Sequence, residues 1–211
     1  MQTSSKYCKK LSLELGGKNA CVVFEDTDLE KCIPVAVRSG FSNQGEICLC
    51  SSRVFVHEKI YDQFVEKYVA EVQKIKVGDP KDEKTTMGAL VSKEHFDKVY
   101  SYIKLAKELG GDIKTGGEKP KLEGELANGY FLSPTVITGL DYDSRVCQEE
   151  IFGPVVTITK FQTEEQVIEF ANSVQYGLAA SIWTENLSRM HRVAQAIEVF
   201  SFFFLFFLFS K

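Results

Sequence analysis

Between Ala20 and Ile197 the apolar residues switch repeatedly between two spacings, and this alternation constrains the fold more than any other feature of the chain. Short apolar runs at Ala20–Phe24, Arg53–His57, Asp112–Thr115, Pro134–Ile137, Val155–Phe161 and Leu178–Thr184 read as strands. Between them the spacing becomes helical. Leu29, Cys32, Ile33, Ala36 and Val37 recur at three and four residues after a cap at Asp26 or Thr27. Ile60, Phe64, Val65, Tyr68, Val69, Val72 and Ile75 trace one helix face, and Phe96, Val99, Ile103 and Ala106 trace another within Ser92–Leu109. Thr163-Glu164-Glu165-Gln166 opens a further helix with a capping box, and a last helix runs from about Asn186 to Ile197. Strands that alternate with helices pair in parallel, because a parallel pair needs a long crossover and a helix supplies it. The expected fold is therefore α/β, a largely parallel sheet flanked by helices. Leu11, Leu13 and Leu15, alternating with Ser12 and Glu14, predict one more strand that stops at Gly16-Gly17, and Gly116 to Gly129 reads as a surface loop.

A chain of 211 residues accommodates one main domain of this kind. Its net charge of -4 leaves no basic footprint for nucleic acid or for an acidic membrane surface, which directs attention to small-molecule chemistry. The cysteines at 8, 21, 32, 48, 50 and 147 form no CxxC pair and no cluster with histidines, so neither a metal site nor a disulfide framework is expected. A reducing, cytoplasmic setting fits this usage, and the N-terminus lacks the apolar stretch of a secretory signal. Val199 to Phe209 is a Phe/Leu run of eleven residues, shorter than the roughly 20 needed to span a bilayer. Having neither strand nor helix periodicity, it is expected to lie outside the fold.

Two constellations carry chemistry: Leu13-Glu14-Leu15-Gly16-Gly17-Lys18-Asn19-Ala20 supplies a carboxylate, and Asn43-Gln44-Gly45-Glu46-Ile47-Cys48-Leu49-Cys50 supplies a thiol. Oxidising an aldehyde through a covalent route needs both. A thiolate adds to the carbonyl, hydride leaves the thiohemiacetal, and a base activates water against the thioester. Taken singly each signal is weak, since a cysteine after a helix is more often a small buried hydrophobe than a nucleophile. Cys50 reads as a bystander and Cys147 as structural, while His57, His95 and His191 are scattered and read as satisfied surface or core histidines. No GxGxxG follows a strand, so Gly16-Gly17 is not a dinucleotide fingerprint.

Taken together, the two segments resemble the glutamate and cysteine motifs of the NAD(P)-dependent aldehyde dehydrogenase superfamily. The similarity continues through Arg53, Glu149-Glu150-Ile151-Phe152-Gly153-Pro154-Val155 and Tyr176-Gly177-Leu178-Ala179-Ala180. It implies that residues 19–198 are the family's catalytic domain, that 1–18 close its cofactor-binding domain, and that the Phe-rich residues 199–211 are foreign to it. It also implies Cys48 as nucleophile and Glu14 as general base. Glu150 is then the partner of the nicotinamide ribose, Phe152 its neighbour beside the nicotinamide, and Leu15 and Gly16 further cofactor contacts. The cofactor would be NAD, with NADP possible, and the substrate a small aldehyde. The wording around Glu14 and Cys48 looks most like the branch acting on 2-aminomuconic semialdehyde in tryptophan catabolism, and Glu46, where many members have glutamine, is a departure this branch shares. With about thirteen residues before Glu14, most of the family's NAD site and the upstream asparagine of its oxyanion hole are expected to be absent. Family members form homo-oligomers, and the strand through which they do so is expected to be missing here. Such a chain would keep a reactive Cys48 with negligible NAD-dependent turnover. A catalytically inactive fragment or splice product that binds intact subunits and a cofactor-free thiol esterase stand as alternatives.

Overall fold

The computed structural model describes residues 2–7 and 9–204. After a short helical turn, α1 (Gln2–Ser5), seven strands and six further helices follow. The strands are β1 (Ala20–Val23), β2 (Arg53–His57), β3 (Asp112–Thr115), β4 (Thr135–Thr138), β5 (Val155–Phe161), β6 (Ala179–Trp183) and β7 (Ser201–Phe204). They form one sheet in the order β3-β4-β5-β2-β1-β6-β7. Every neighbouring pair is parallel except β3 with β4. The helices are α2 (Leu29–Phe41), α3 (Tyr61–Val72), α4 (Lys93–Glu108), α5 (Arg145–Gln148), α6 (Glu164–Asn172) and α7 (Leu187–Ala196). No helix among the described residues is long and apolar enough to cross a membrane.

The pleat distributes β1 between two cores, as period-two geometry requires. Cys21 and Val23 pack with Cys32, Ile33 and Val37 of α2 and with Phe64, Tyr68 and Val72 of α3. Ala20, Val22 and Phe24 face the other way, toward Phe170 of α6 and Val193 of α7. A third cluster joins Val99, Ile103 and Ala106 of α4 to Ile137 and Val155. Each fully buried side chain of this size contributes about 1.5–3 kcal/mol. The capping expected of Thr163 is present, its side chain accepting from Gln166 N, and Ser92 caps α4 through His95 N.

Three expectations change. The cap of α2 is Asp28, which accepts from Glu30 N. Asp26 instead receives the Thr184 hydroxyl, and Thr27 donates to Trp183 O, so both tie β6 to the β1 exit. Residues 9–19 form no strand: Leu11, Leu13 and Leu15 are all exposed. Alternation alone does not make a strand when no neighbouring strand takes its hydrogen bonds and no apolar layer covers its face. Finally, the Phe-rich run is not wholly outside the fold, because Ser201–Phe204 pairs with Ala179–Ile182 as a parallel edge strand. A strand at the sheet edge needs only one partner, and Ala196-Ile197 ends α7 close enough for the chain to return, with Phe200 N donating to Gly177 O at 2.8 Å. Residues 205–211 lie outside the described residues.

Candidate active site

Parallel pairing brings one end of four strands together. Ala20 lies opposite Arg53 on one side and Ala180 on the other, and Arg53 lies opposite Thr157. The segments that enter these strands therefore converge: Gly17-Lys18-Asn19 before β1, Cys48 to Ser52 before β2, Glu150 to Pro154 before β5, and Tyr176 to Leu178 before β6. Open α/β sheets commonly bind ligands beyond the carboxyl ends of their strands. Here the chemistry-bearing residues gather at the amino ends instead.

Cys48 is exposed and lines a small cleft with Gly17, Gly45, Ile47, Glu150 and Phe152. The chain reaches it through a tight left-handed passage, with φ of 48° at Asn43, 58° at Gln44 and 73° at Gly45. A Cβ at Gly45 would stand 2.2 Å from Gly153 O, so only glycine lets this loop close against the 150–154 segment. The other described thiols are sheltered. Burial pushes Cys21 and Cys50 up to about 11 and raises Cys32 as well, so these stay protonated near neutrality. Cys50 donates its S–H to Ser42 O and Cys147 is buried, which agrees with their reading as bystander and structural residues. Cys8 lies outside the described residues.

Glu150 accepts from Gly17 N at 2.9 Å, and its carboxylate lies where a side chain at Gly16 would begin, 2.5 Å from that Cβ position. The glycine pair thus lets the two loops touch. Its neighbour Glu149 turns away to accept from Tyr102 at 2.6 Å and from Arg145 Nε and Nη2. The Arg145 and Tyr102 hydrogen bonds hold Glu149 at about 2. Phe152 has a φ of 63°, unusual for a bulky residue, and its carbonyl meets His95 Nε2 at 2.6 Å. The same Nε2 lies 3.3 Å from Glu46 Oε1, which also accepts from Val91 N. His95 and Glu46 thereby join the Cys48 loop, the Phe152 turn and the start of α4. Glu14 and Leu15 are exposed on the extended segment 9–19. Glu14 makes no hydrogen bond among the described residues, and the structure draws Gly16 and Gly17, rather than Glu14, against the cleft.

Three residues at the site escaped the sequence reading in this role. His95 has just been placed. Asn19 is buried and binds three main-chain groups, donating to Cys48 O and Cys50 O and accepting from Ala179 N. Lys18 is buried with its Nζ unpartnered among the described residues, and burial drops it to about 7. A polar pair wedged between two glycines and an apolar strand was the available signal, since polar residues at a strand entry are buried only when something there needs them. Arg53 fills the neighbouring space, its guanidinium donating to Lys18 O, Phe170 O and Ala171 O. Among the described residues no group of three or more His, Cys, Asp or Glu could hold a metal ion.

Glu150 and Phe152 thus line one small cleft together with the exposed Cys48 thiol. The profile described as "Aldehyde dehydrogenase family" matches residues 1–204. The chain is 52% identical over 199 residues to mouse 2-aminomuconic semialdehyde dehydrogenase, covering 93% of this chain and 41% of that one. It is 46% identical over 198 residues to 2-hydroxymuconic semialdehyde dehydrogenase of Pseudomonas putida, covering 94% and 41% respectively. Among solved structures, betaine aldehyde dehydrogenase of Staphylococcus aureus in complex with NAD+ superposes with a TM-score of 0.89 at 37% identity, over 96% of this chain and 40% of that chain. PnpE in complex with nicotinamide adenine dinucleotide superposes with a TM-score of 0.90 at 42% identity, over 96% and 41%. The chain thus spans about two fifths of the length of the relatives it matches.

Proposed function

The chain belongs to the aldehyde dehydrogenase family, and from that premise we propose that it supplies the thiol half of an enzyme that oxidises a small aldehyde to a carboxylic acid with NAD. The observation that carries the proposal is the exposed Cys48 in a cleft with Glu150 and Phe152, while the other described cysteines are buried. The Cys48 thiolate adds to the aldehyde carbon, forming a C–S bond and an alkoxide. Collapse of that alkoxide expels hydride and leaves a thioester on Cys48. NAD, when bound, supplies the two-electron acceptor for that hydride. Water then attacks the thioester carbonyl, giving the acid and releasing the thiol. Glu14, the proposed general base, takes the proton from water. Glu150 is proposed to hold the ribose hydroxyls by exchanging its bond from Gly17 N for them. Phe152, its carbonyl held by His95, offers a ring to the nicotinamide.

The substrate class we propose is a muconic-type semialdehyde, which the names of the relatives at 52% and 46% identity support. The test is aldehyde-dependent reduction of NAD by the protein that carries this domain, with Cys48→Ala beside it. The proposal expects reduced cofactor only where Cys48 is present. Equal reduction by both proteins, or acid formed without reduced cofactor, would contradict it.

A further inference from the structure

The turn that carries Cys48 is held from beneath by a single carboxamide. Asn19 Nδ2 donates to Cys48 O at 2.7 Å and to Cys50 O at 3.0 Å, while Asn19 Oδ1 accepts from Ala179 N at 3.1 Å. These partners settle the orientation of the amide, because the flipped group would set an oxygen against two carbonyls and a donor against an N–H. Both amide hydrogens and the amide oxygen are in use, and the residue is 4% exposed. Of the common side chains, aspartate lacks the donors, serine has one, and glutamine is longer by a methylene. The backbone of Asn19 is fixed independently, since Arg53 N donates to Asn19 O and the Arg53 guanidinium grips Lys18 O. The two carbonyls are thus tied to the rigid entry of β1 and β6, not to a mobile loop.

We infer that Asn19 is a positioning residue, whose buried carboxamide sets the main chain of the Cys48 turn so that the thiol and the Cys48 amide face the cleft together. This rests on Cys48 being the nucleophile. With its carbonyl drawn down to Asn19, Cys48 presents its side chain outward, and its own N–H has no acceptor among the described residues. An N–H left free beside the attacking sulfur is placed to donate to the oxyanion that forms when the thiolate adds to a carbonyl. Such a donor is worth about 10²–10³ in rate when correctly aimed.

The inference separates two reactions of one thiol. Acyl transfer from p-nitrophenyl acetate to Cys48 passes through a tetrahedral oxyanion, whereas alkylation by iodoacetamide does not. In Asn19→Ala the ratio of acylation rate to alkylation rate at Cys48 should fall about tenfold or more, and in Asn19→Ser, which keeps one donor, it should fall by less. Val72→Ala, a cavity in α3 where Val72 is fully buried, should lower thermal stability and leave the ratio unchanged. A ratio that survives both Asn19 substitutions, or that Val72→Ala lowers equally, overturns the inference while the nucleophile assignment stands. If Cys48 of the unsubstituted protein reacts with neither reagent faster than it does in the urea-unfolded chain, the nucleophile assignment and the inference fall together.

Discussion

Replacing Lys18 by methionine should stabilise the protein at neutral pH, and by an amount that depends on pH in a defined direction. Lys18 has its Nζ buried and unpartnered among the described residues, and burial lowers it from 10.5 to about 7. The unfolded chain therefore binds more protons than the folded one across this interval, and stability rises with pH through it. The cost of the buried ammonium is full below about pH 7 and vanishes above about 10.5. At about 1.36 kcal/mol per unit, the folded protein carries a penalty on the order of 4 kcal/mol at neutral pH, of which roughly 2 kcal/mol is relieved by about pH 9. Methionine keeps the unbranched stem and removes the charge. Urea unfolding of both proteins at the two pH values measures the effect. Cys21, Cys32 and Cys50, whose raised values make stability fall in the alkaline direction, act equally in both and cancel in the difference. Lys18→Met should be the more stable at neutral pH, and its advantage should shrink as pH rises. An advantage that is absent at neutral pH, or that grows toward pH 9, would refute the reasoning.

Two further outcomes follow from the same region. Arg53→Ala leaves Lys18 O, Phe170 O and Ala171 O without their buried donor, so urea unfolding should report a loss of about 3 kcal/mol or more. Glu149 sits at about 2 because of its Arg145 and Tyr102 hydrogen bonds. Its folded value lies below the unfolded one, so its contribution is present above the ordinary carboxylate range and is lost as pH falls toward 2. Glu149→Gln should accordingly flatten the acid limb of a thermal-melt series between about pH 5 and pH 2, by a small amount because the pair is largely solvated.

The layered α/β architecture was legible because its information is local. The strands at Val155–Phe161 and Asp112–Thr115 and the helix capped by Thr163 show their period and their stop signals within a few residues. The segment Leu11–Leu15 misled for the opposite reason: its alternation is local, but a strand exists only with a neighbour, and the pairing is not written in the segment itself. Ser201–Phe204 shows the converse, a run without period that becomes a strand because β6 offers an open edge. At the site, Cys48 and Glu150 could be read from their motifs, and the structure sets both on one cleft. Asn19 and His95 could not, since their roles come from partners 29 to 160 residues away in the case of Asn19 and 57 away for His95 with Phe152, and Lys18 could not because its burial is a product of tertiary packing. Parallel pairing of β1 with β2 and β6 creates the Asn19 contacts, the meeting of α4 with the loop before β5 creates the His95 one, and no spacing within one segment encodes either.

The central claim, that Cys48 is the nucleophile of this fold, is tested most directly by mapping where an acyl group lands. The native protein is treated briefly with p-nitrophenyl acetate, quenched in acid, digested and analysed by mass spectrometry. The account predicts a thioester on the peptide containing Cys48 ahead of any modification at Cys21, Cys32, Cys50 or Cys147, which are buried, and none in Cys48→Ala. Acylation that falls first on another cysteine, or that leaves Cys48 unmodified while the protein remains folded, would contradict it.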